Sequence, residues 1–397
     1  MHGFTQYLLR KKRIYLDHAA STPILSVARI AMFDAMSFIG NPGGIHAEAV
    51  AGAKSLKASR DAIAAELGCK GREVIFTHGL TAANNLAIIG FARKLEQTKR
   101  GLAGTHWIAS AIDHTSVLAS FAEVERMGGE VTFIEPNAKG IIEPATVSKA
   151  LRPETVFISI GWANSEIGTV QPLAEIAAVV RSHEMRQGTQ VIRHSDAGQA
   201  PLYRATKVHT LGVDLLSLGS HKFYGPHGIG ALYISNRADI AGVSFGGGQE
   251  RGLQAGTEDV PAAAGFSTAF VHIAREREHE AKRLGELRAA MVKDLIAQIP
   301  GIIINGDSSH TLPHLLNVSI PDMNSEYIVL ALDHAGIAVS TKSACREGTD
   351  RTSHVVAALG GEPWRAQNTL RFSMGRSTTQ ADISNVVDIL AKLLAKK

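Results

Sequence analysis

The feature of this sequence that most constrains its fold is a regular alternation of short apolar runs with stretches of helical periodicity. One helical stretch, 115–127, places Val117, Phe121 and Val124 on one face, and another spans 173–186. Such alternation is typical of a mostly parallel sheet covered by helices on both faces. The sequence therefore predicts an α/β fold, with strands at 73–77, 105–110, 130–136, 155–160, 190–194, 213–218 and 230–234.

The pattern changes near residue 260, where a long helix is followed by two more strand-like runs, 315–320 and 369–373, and a final amphipathic helix. This change predicts a second, smaller α+β domain. We expect three parts of the chain. They are an N-terminal segment packed with the small domain (1–20), a large domain (21–260) and a small C-terminal domain (261–397).

Composition narrows the class of function. The chain has 41 Lys and Arg residues against 37 Asp and Glu, spread along its length, so we expect no nucleic-acid partner. It has no apolar span of membrane length and no leader pattern, so we expect a cytoplasmic protein without a membrane partner. Its cysteines, Cys69 and Cys345, are far apart and predict neither a disulfide nor a zinc site, and the histidines show no metal-ligand spacing.

Lys222 lies in the turn Gly219-Ser220-His221-Lys222, between two apolar runs that we expect to be buried strands. Burial disfavours the ammonium form and lowers the pKa of a lysine, which suits an amine that forms a Schiff base with a carbonyl cofactor. The alternative is a loop lysine that reaches solvent. Residues elsewhere in the chain must decide between the two.

Polar residues follow several of the predicted strands, at the edge where ligands bind in open α/β folds. Gly79-Leu80-Thr81 begins a helix whose free N–H groups suit a phosphate. The alternative is an ordinary capped helix that binds no ligand. Asp196 follows another strand and is suited to pair with a cation, while His114 taken alone is more typical of a structural histidine. Together with Lys222, these residues form the inventory of a pyridoxal 5′-phosphate (PLP) site.

With these motifs in place, the sequence resembles the class-V aminotransferases of PLP fold-type I, and within them the cysteine desulfurases. The resemblance runs from Tyr15-Leu16-Asp17-His18 to Leu370-Arg371-Phe372-Ser373. It implies that the large domain binds PLP and that the small domain carries a catalytic cysteine loop. It also implies an enzyme that converts L-cysteine to L-alanine.

The resemblance assigns roles around the cofactor. Lys222 matches the lysine that forms the Schiff base, His114 the imidazole stacked on the ring, and Asp196 the carboxylate paired with the pyridine nitrogen. An anionic Asp196 keeps that nitrogen protonated, so that the ring can withdraw electrons from the substrate α-carbon. Further implied contacts are Gln199 and Asn164 at the ring oxygen, and Leu80, Thr81, Ser220 and His221 at the phosphate.

Two other matches concern the substrate and a second subunit. Arg371 matches the arginine that binds the substrate carboxylate, a task suited to a planar guanidinium, whereas a structural ion pair is the alternative. Asn164 also contacts the substrate in the resemblance. Thr257 matches a threonine that reaches the phosphate of the neighbouring subunit, which implies a homodimer with shared active sites.

Cys345 occupies the position of the catalytic cysteine in the desulfurases. It lies in a polar stretch between Lys342 and Arg346, whose charges would favour its thiolate. We expect it to accept the substrate sulfur as a persulfide and pass it to an acceptor or scaffold protein for iron–sulfur cluster or thio-cofactor biosynthesis. His114 is expected to donate or accept a proton in this step, and Cys69 to be structural.

The sequence departs from the family pattern at the phosphate. Leu80 stands where an alanine is usual, and Gly219 stands where a serine is usual three residues before Lys222. Ser220 and Ser217 are candidate replacements for the missing hydroxyl, and a weaker hold on the phosphate is the alternative. A selenocysteine lyase, a class-V aminotransferase and a catalytically weak PLP-bound scaffold are the alternative functions.

Overall fold

The computed structural model describes residues 13–99, 101–341 and 352–395. The strands are β1 (Ile14–Tyr15), β2 (Val74–Thr77), β3 (His106–Ser110), β4 (Glu130–Ile134), β5 (Thr155–Ser159), β6 (Ile192–Asp196), β7 (Leu215–Gly219), β8 (Gly230–Ile234), β9 (Ile303–Asn305), β10 (Leu315–Ser319), β11 (Ile337–Ala338) and β12 (Thr369–Ser373). The α-helices are α1 (Ser26–Ala35), α2 (Ala47–Leu67), α3 (Leu80–Lys99), α4 (Thr115–Arg126), α5 (Pro144–Ala150), α6 (Leu173–Gln187), α7 (Val208–Leu211), α8 (Val260–Gln298), α9 (Ser325–His334), α10 (His354–Ala358), α11 (Trp364–Gln367) and α12 (Gln380–Leu394).

The main sheet has seven strands in the order β2-β8-β7-β6-β5-β3-β4. Strand β8 runs antiparallel to both of its neighbours, β2 and β7. The other neighbouring pairs are parallel. The prediction of a mostly parallel α/β sheet is therefore confirmed.

Helices cover both faces of this sheet, as alternate residues of β3 illustrate. Trp107 and Ala109 belong to the apolar cluster on one face, whereas Ile108 belongs to the cluster on the other. The Trp107 ring packs 5.1 Å from Phe157 and 5.5 Å from Phe91, measured between ring centroids. Burial on both faces explains why central strands such as β7 and β8 are almost continuously apolar rather than alternating.

The strands of the C-terminal part of the chain belong to two smaller sheets. Strands β9, β10 and β12 form an antiparallel sheet with β10 in the centre. Strand β1 pairs in parallel with β11, so the described part of the N-terminal segment lies against residues far along the chain. The domain boundaries at 20 and 260 stay predictions.

The long helix α8 connects these regions. Its N-terminus is capped by the Asp259 carboxylate, which accepts a hydrogen bond from Ala262 N at 2.9 Å, and Pro261 lies in its first turn. It packs against α1, α2 and α12. The predicted apolar face is buried, through Leu284, Leu287, Met291 and Leu295.

The sheet places the polar residues predicted for the site at a common edge. The carboxyl ends of β3, β5 and β6 lie side by side, and His114 and Asn164 follow the first two strands while Asp196 ends the third. None of the helices in the described ranges has the length and apolar character to span a bilayer. Over the same ranges, no cluster of His, Cys, Asp and Glu side chains is arranged to hold a metal ion.

Candidate active site

A cavity of about 370 Å³ opens at this edge of the sheet. Its size is within the range of small-molecule sites in proteins, and its walls are mainly apolar with a few polar groups. Most of the residues predicted for the site line it. They are Leu80, Thr81, His114, Asn164, Asp196, Gln199, His221, Lys222 and Arg371.

Lys222 lies in a short 3₁₀ turn, Ser220–Lys222, directly after β7. Its Nζ donates hydrogen bonds to the carbonyls of Ala19 at 2.6 Å and Ala20 at 2.8 Å. The side chain therefore does not extend into solvent, which was the alternative from the sequence. The contacts hold the amine at the cavity wall.

The Asp196 carboxylate is held at both oxygens. Oδ1 accepts a hydrogen bond from Gly198 N at 2.8 Å, and Oδ2 accepts one from Asn84 Nδ2 at 2.7 Å. Because each carboxylate oxygen can accept more than one hydrogen bond, the group can still pair with a protonated ring nitrogen. Its orientation is fixed before any ligand binds.

Asp113 is a second carboxyl group at the cavity, and it is buried. Oδ1 accepts a hydrogen bond from Gly161 N at 2.9 Å, and Oδ2 has no partner among the described residues. Burial raises the pKa of Asp113 well above its usual range, and the negative charge of Asp196 adds to this shift. Both effects favour the protonated form of the Asp113 carboxyl.

Among the histidines that line the cavity are His114, His221 and His227. Burial lowers the pKa of His221 to about 4, with smaller contributions from Lys222, His227 and His114. The rings of His221 and His227 stack at a centroid distance of 5.7 Å. His114 caps α4, with Nδ1 accepting a hydrogen bond from Ser116 N at 3.2 Å.

The N-terminus of α3 forms the end of the cavity where the phosphate is predicted to bind. The first N–H groups of a helix have no carbonyl partner within it, so they are available to an anion. Leu80 packs against two glycines: a Cβ atom on Gly198 would lie 2.6 Å from Leu80 Cδ2, and one on Gly219 would lie 2.8 Å from Leu80 Cβ. The unusual leucine and the glycine at 219 therefore belong to one packing arrangement.

Ser220 does not contribute its hydroxyl to the cavity. The side chain is fully buried, Oγ has no hydrogen-bond partner among the described residues, and it lies where a Cβ on Gly225 would be. Ser217 Oγ bonds to His194 Nε2 at 3.0 Å inside the sheet. Neither hydroxyl lines the cavity in this geometry, and the contact of Ser220 with the phosphate stays a prediction.

Arg371 lies on β12 and is almost completely buried. Its Nη2 pairs with Asp17 Oδ1 at 2.7 Å, and its Nη1 donates to the carbonyl of Ser165 at 3.1 Å. The structural ion pair considered from the sequence is thus present. The same guanidinium also lines the cavity, and its remaining N–H groups can bind a carboxylate.

Two predicted residues remain, Thr257 and Cys345. Thr257 does not line this cavity. Cys345 lies outside the described residues, so its predicted role stays a prediction.

Several residues of the site were missed from the sequence. Asn84 is a fully buried amide in the middle of α3, and no periodic signal distinguishes it from the neighbouring Asn85. Glu166 is buried at the cavity, where its Oε2 accepts a hydrogen bond from Ser353 Oγ at 2.6 Å. His354 donates from Nε2 to the carbonyl of Asp113 at 3.2 Å and also lines the cavity. The partners in these last two hydrogen bonds are far apart in the sequence, so no local sequence pattern indicates that they meet.

Comparison with known proteins gives the family. The family described as Aminotransferase class-V matches residues 14–386. The chain belongs to the class-V aminotransferase family. This confirms the resemblance drawn from the motifs.

Three relatives show how far the similarity extends. A protein named cysteine desulfurase IscS from Dictyoglomus turgidum is 37% identical over 391 residues, covering 97% of this chain and 95% of the relative. A solved NifS-like protein superposes with a TM-score of 0.89 at 27% identity, covering 97% of this chain and all of the other. A structure titled SspA in complex with cysteine is 32% identical, with a TM-score of 0.77 and coverage of 91% and 99%.

Class-V aminotransferases are PLP-dependent enzymes, so the cofactor prediction is confirmed by the family. The residues present also fit PLP. The cavity offers an amine, a fixed carboxylate and a helix N-terminus. Gln199, which donates from Nε2 to the carbonyl of Ala19, leaves a buried Oε1 without a partner among the described residues. Such an atom is satisfied when a polar ligand fills the cavity.

The two carboxyl groups at the cavity give a test of the site. We expect Asp196→Asn to weaken PLP binding about tenfold or more, because it removes a charge-assisted hydrogen bond to the ring nitrogen. The control is Asp113→Asn, which resembles the protonated side chain and should change the dissociation constant by less than about twofold. Spectrophotometric titration of the PLP-free protein measures both. Equal losses in the two variants would contradict the assignment of Asp196.

Proposed function

We propose that this protein is a PLP-dependent cysteine desulfurase, which converts L-cysteine to L-alanine and transfers the sulfur to Cys345. The observation that carries the proposal is the meeting of Lys222, Asp196 and Arg371 in one cavity. The relatives named cysteine desulfurase support the choice of reaction, and so does the related structure in complex with cysteine.

PLP, when bound, supplies an electron-withdrawing ring that stabilises negative charge at the substrate α-carbon. Lys222 would hold the cofactor through Nζ and, after the substrate amine displaces it, take the α-proton at the same atom. Asp196 would accept a hydrogen bond from the protonated ring nitrogen. The N-terminus of α3, at Leu80 and Thr81, would bind the phosphate together with His221.

Arg371 would bind the substrate carboxylate. Nη1 and Nη2 each give one N–H to Ser165 and Asp17, and each nitrogen carries a second N–H for the substrate. The pair with Asp17 fixes the plane of the guanidinium, so a carboxylate can bind in only a narrow range of orientations. This positions the amine of the amino acid toward Lys222.

Cys345 would act on the substrate sulfur. Its thiolate attacks that sulfur, an S–S bond forms while the C–S bond breaks, and the electron pair of the C–S bond stays with the carbon. Protonation of that carbon gives alanine, so the persulfide forms without an external oxidant or reductant. The persulfide would then pass to an acceptor or scaffold protein by thiol exchange. A cytoplasmic location stays a prediction from the sequence.

The two cysteines of the chain test this step. We expect Cys345→Ala to abolish alanine and sulfide production from L-cysteine while the variant still binds PLP. Cys69→Ala is the matched control and should retain full activity, because burial raises the pKa of the Cys69 thiol to about 12 and leaves it unreactive. Alanine and sulfide are measured under a reductant. Undiminished turnover in Cys345→Ala would exclude the proposed nucleophile, and a keto acid product would indicate an aminotransferase.

We also propose a homodimer, for which α1 and the residues after it supply a surface. Val27, Ile30, Phe33 and Met36 recur every three residues along α1 and are exposed, Phe33 to 76%. The opposite side of α1 is buried through Ala28 and Ala35. Exposed apolar side chains continue at Ile39, Ile45 and Val50. Exposed apolar side chains concentrated in one segment of the chain are typical of a protein interface.

Substitution within this surface tests the dimer. We expect Phe33→Glu to convert the protein to monomers, because a charge would be buried at the interface. Met185→Glu is the control, since Met185 is equally exposed, at 79%, but lies on α6. Sedimentation velocity measures both variants. A wild-type monomer, or a Phe33→Glu variant that stays dimeric, would contradict the proposal.

A further inference from the structure

A continuous chain of hydrogen bonds links the Asp196 carboxylate to the imidazole of His114. Asn84 Nδ2 lies 2.7 Å from Asp196 Oδ2 and 2.9 Å from Ser116 Oγ. Ser116 Oγ in turn lies 2.8 Å from His114 Nδ1. Asn84 is fully buried and Ser116 nearly so, which shields the chain from competing water.

The direction of each hydrogen bond in this chain follows from its chemistry. An ionised carboxylate only accepts, so the Asn84 amide must turn its NH₂ group toward Asp196. The second hydrogen of that NH₂ group then points at Ser116 Oγ, which accepts it. The hydroxyl hydrogen of Ser116 is left to bond to His114 Nδ1.

A second contact independently fixes the state of His114 Nδ1. The backbone N–H of Ser116, which can only donate, approaches the same nitrogen at 3.2 Å. A nitrogen that accepts from both groups carries a lone pair and no proton. The proton of the neutral ring is therefore on Nε2, which has no hydrogen bond to any other described residue, while the ring lines the cavity.

We propose that Asn84 and Ser116 are positioning residues that hold His114 as the Nε2–H tautomer, so that its imidazole presents a hydrogen-bond donor to the substrate. This inference rests on the proposed function and deepens it. The sequence left His114 open as proton donor or acceptor. In this arrangement the neutral ring donates a hydrogen bond from Nε2 to the substrate sulfur, and it does not act as a general base.

The chain offers a matched pair of serines for the test. Ser116→Ala removes the hydroxyl donor to His114. Ser120→Ala removes a buried hydroxyl one turn later on α4, which donates only to the carbonyl of Ser116 at 2.8 Å. Ser116→Thr keeps the hydroxyl and is the conservative variant. None of these substitutions removes a residue that lines the cavity.

The first readout is ¹⁵N NMR of full-length protein labelled at histidine, with and without PLP, with the His114 signal assigned by its loss in His114→Gln. We expect a proton on Nε2 and an unprotonated, hydrogen-bonded Nδ1. Ser116→Ala should shift the Nδ1 signal, and Ser120→Ala and Ser116→Thr should not. A proton on Nδ1 in the wild type, or equal shifts in Ser116→Ala and Ser120→Ala, would overturn the proposal.

The second readout is turnover of L-cysteine by the loaded enzyme. We expect Ser116→Ala to lower kcat about fivefold to tenfold, the effect of one lost hydrogen bond, with Ser116→Thr and Ser120→Ala near wild type. Unchanged kcat in Ser116→Ala would overturn the role in the reaction. If the wild type does not turn over L-cysteine but the NMR result is as expected, the proposed function is wrong and the tautomer assignment stands.

Discussion

The arrangement of the site depends on one fixed negative charge, the carboxylate of Asp196 at the end of β6. Gly198 N and Asn84 hold its two oxygens, and these contacts extend from the sheet to α3 and, through Ser116, to α4. The same charge adds to the effect of burial in raising the pKa of the neighbouring Asp113. A single strand-end carboxylate thus contributes to the raised pKa of one neighbour and, through two buried side chains, fixes the orientation of His114.

The packing around the phosphate end explains the departure from the family pattern. Leu80, at the first position of α3, lies against Gly198 and Gly219, where side chains on either glycine would collide with it. The leucine and the glycines must therefore change together. The departure does not remove the helix N-terminus from the cavity, so the main source of anion binding, the free N–H groups of α3, is retained.

The sequence was informative where the structure can be predicted from local sequence patterns. Apolar runs located the strands of the main sheet within a few residues. Strand ends predicted that Lys222, His114 and Asp196 would meet, because parallel strands end at one edge. The sequence did not predict α1, whose apolar stripe is exposed rather than core-facing, nor the three-residue β9. It also missed Asn84, and it did not indicate that the Ser220 side chain is buried away from the cavity lining, because the direction of a side chain in a tight turn depends on tertiary packing.

The central claim is that Lys222 holds PLP in this cavity. Reduction of the PLP-loaded protein with borohydride fixes the cofactor covalently to the lysine that carries it, and peptide mass spectrometry then locates the label. We predict a pyridoxyl group on Lys222, lost when L-cysteine is added before reduction because the substrate amine displaces the lysine. A label on another lysine, or none, would contradict the account.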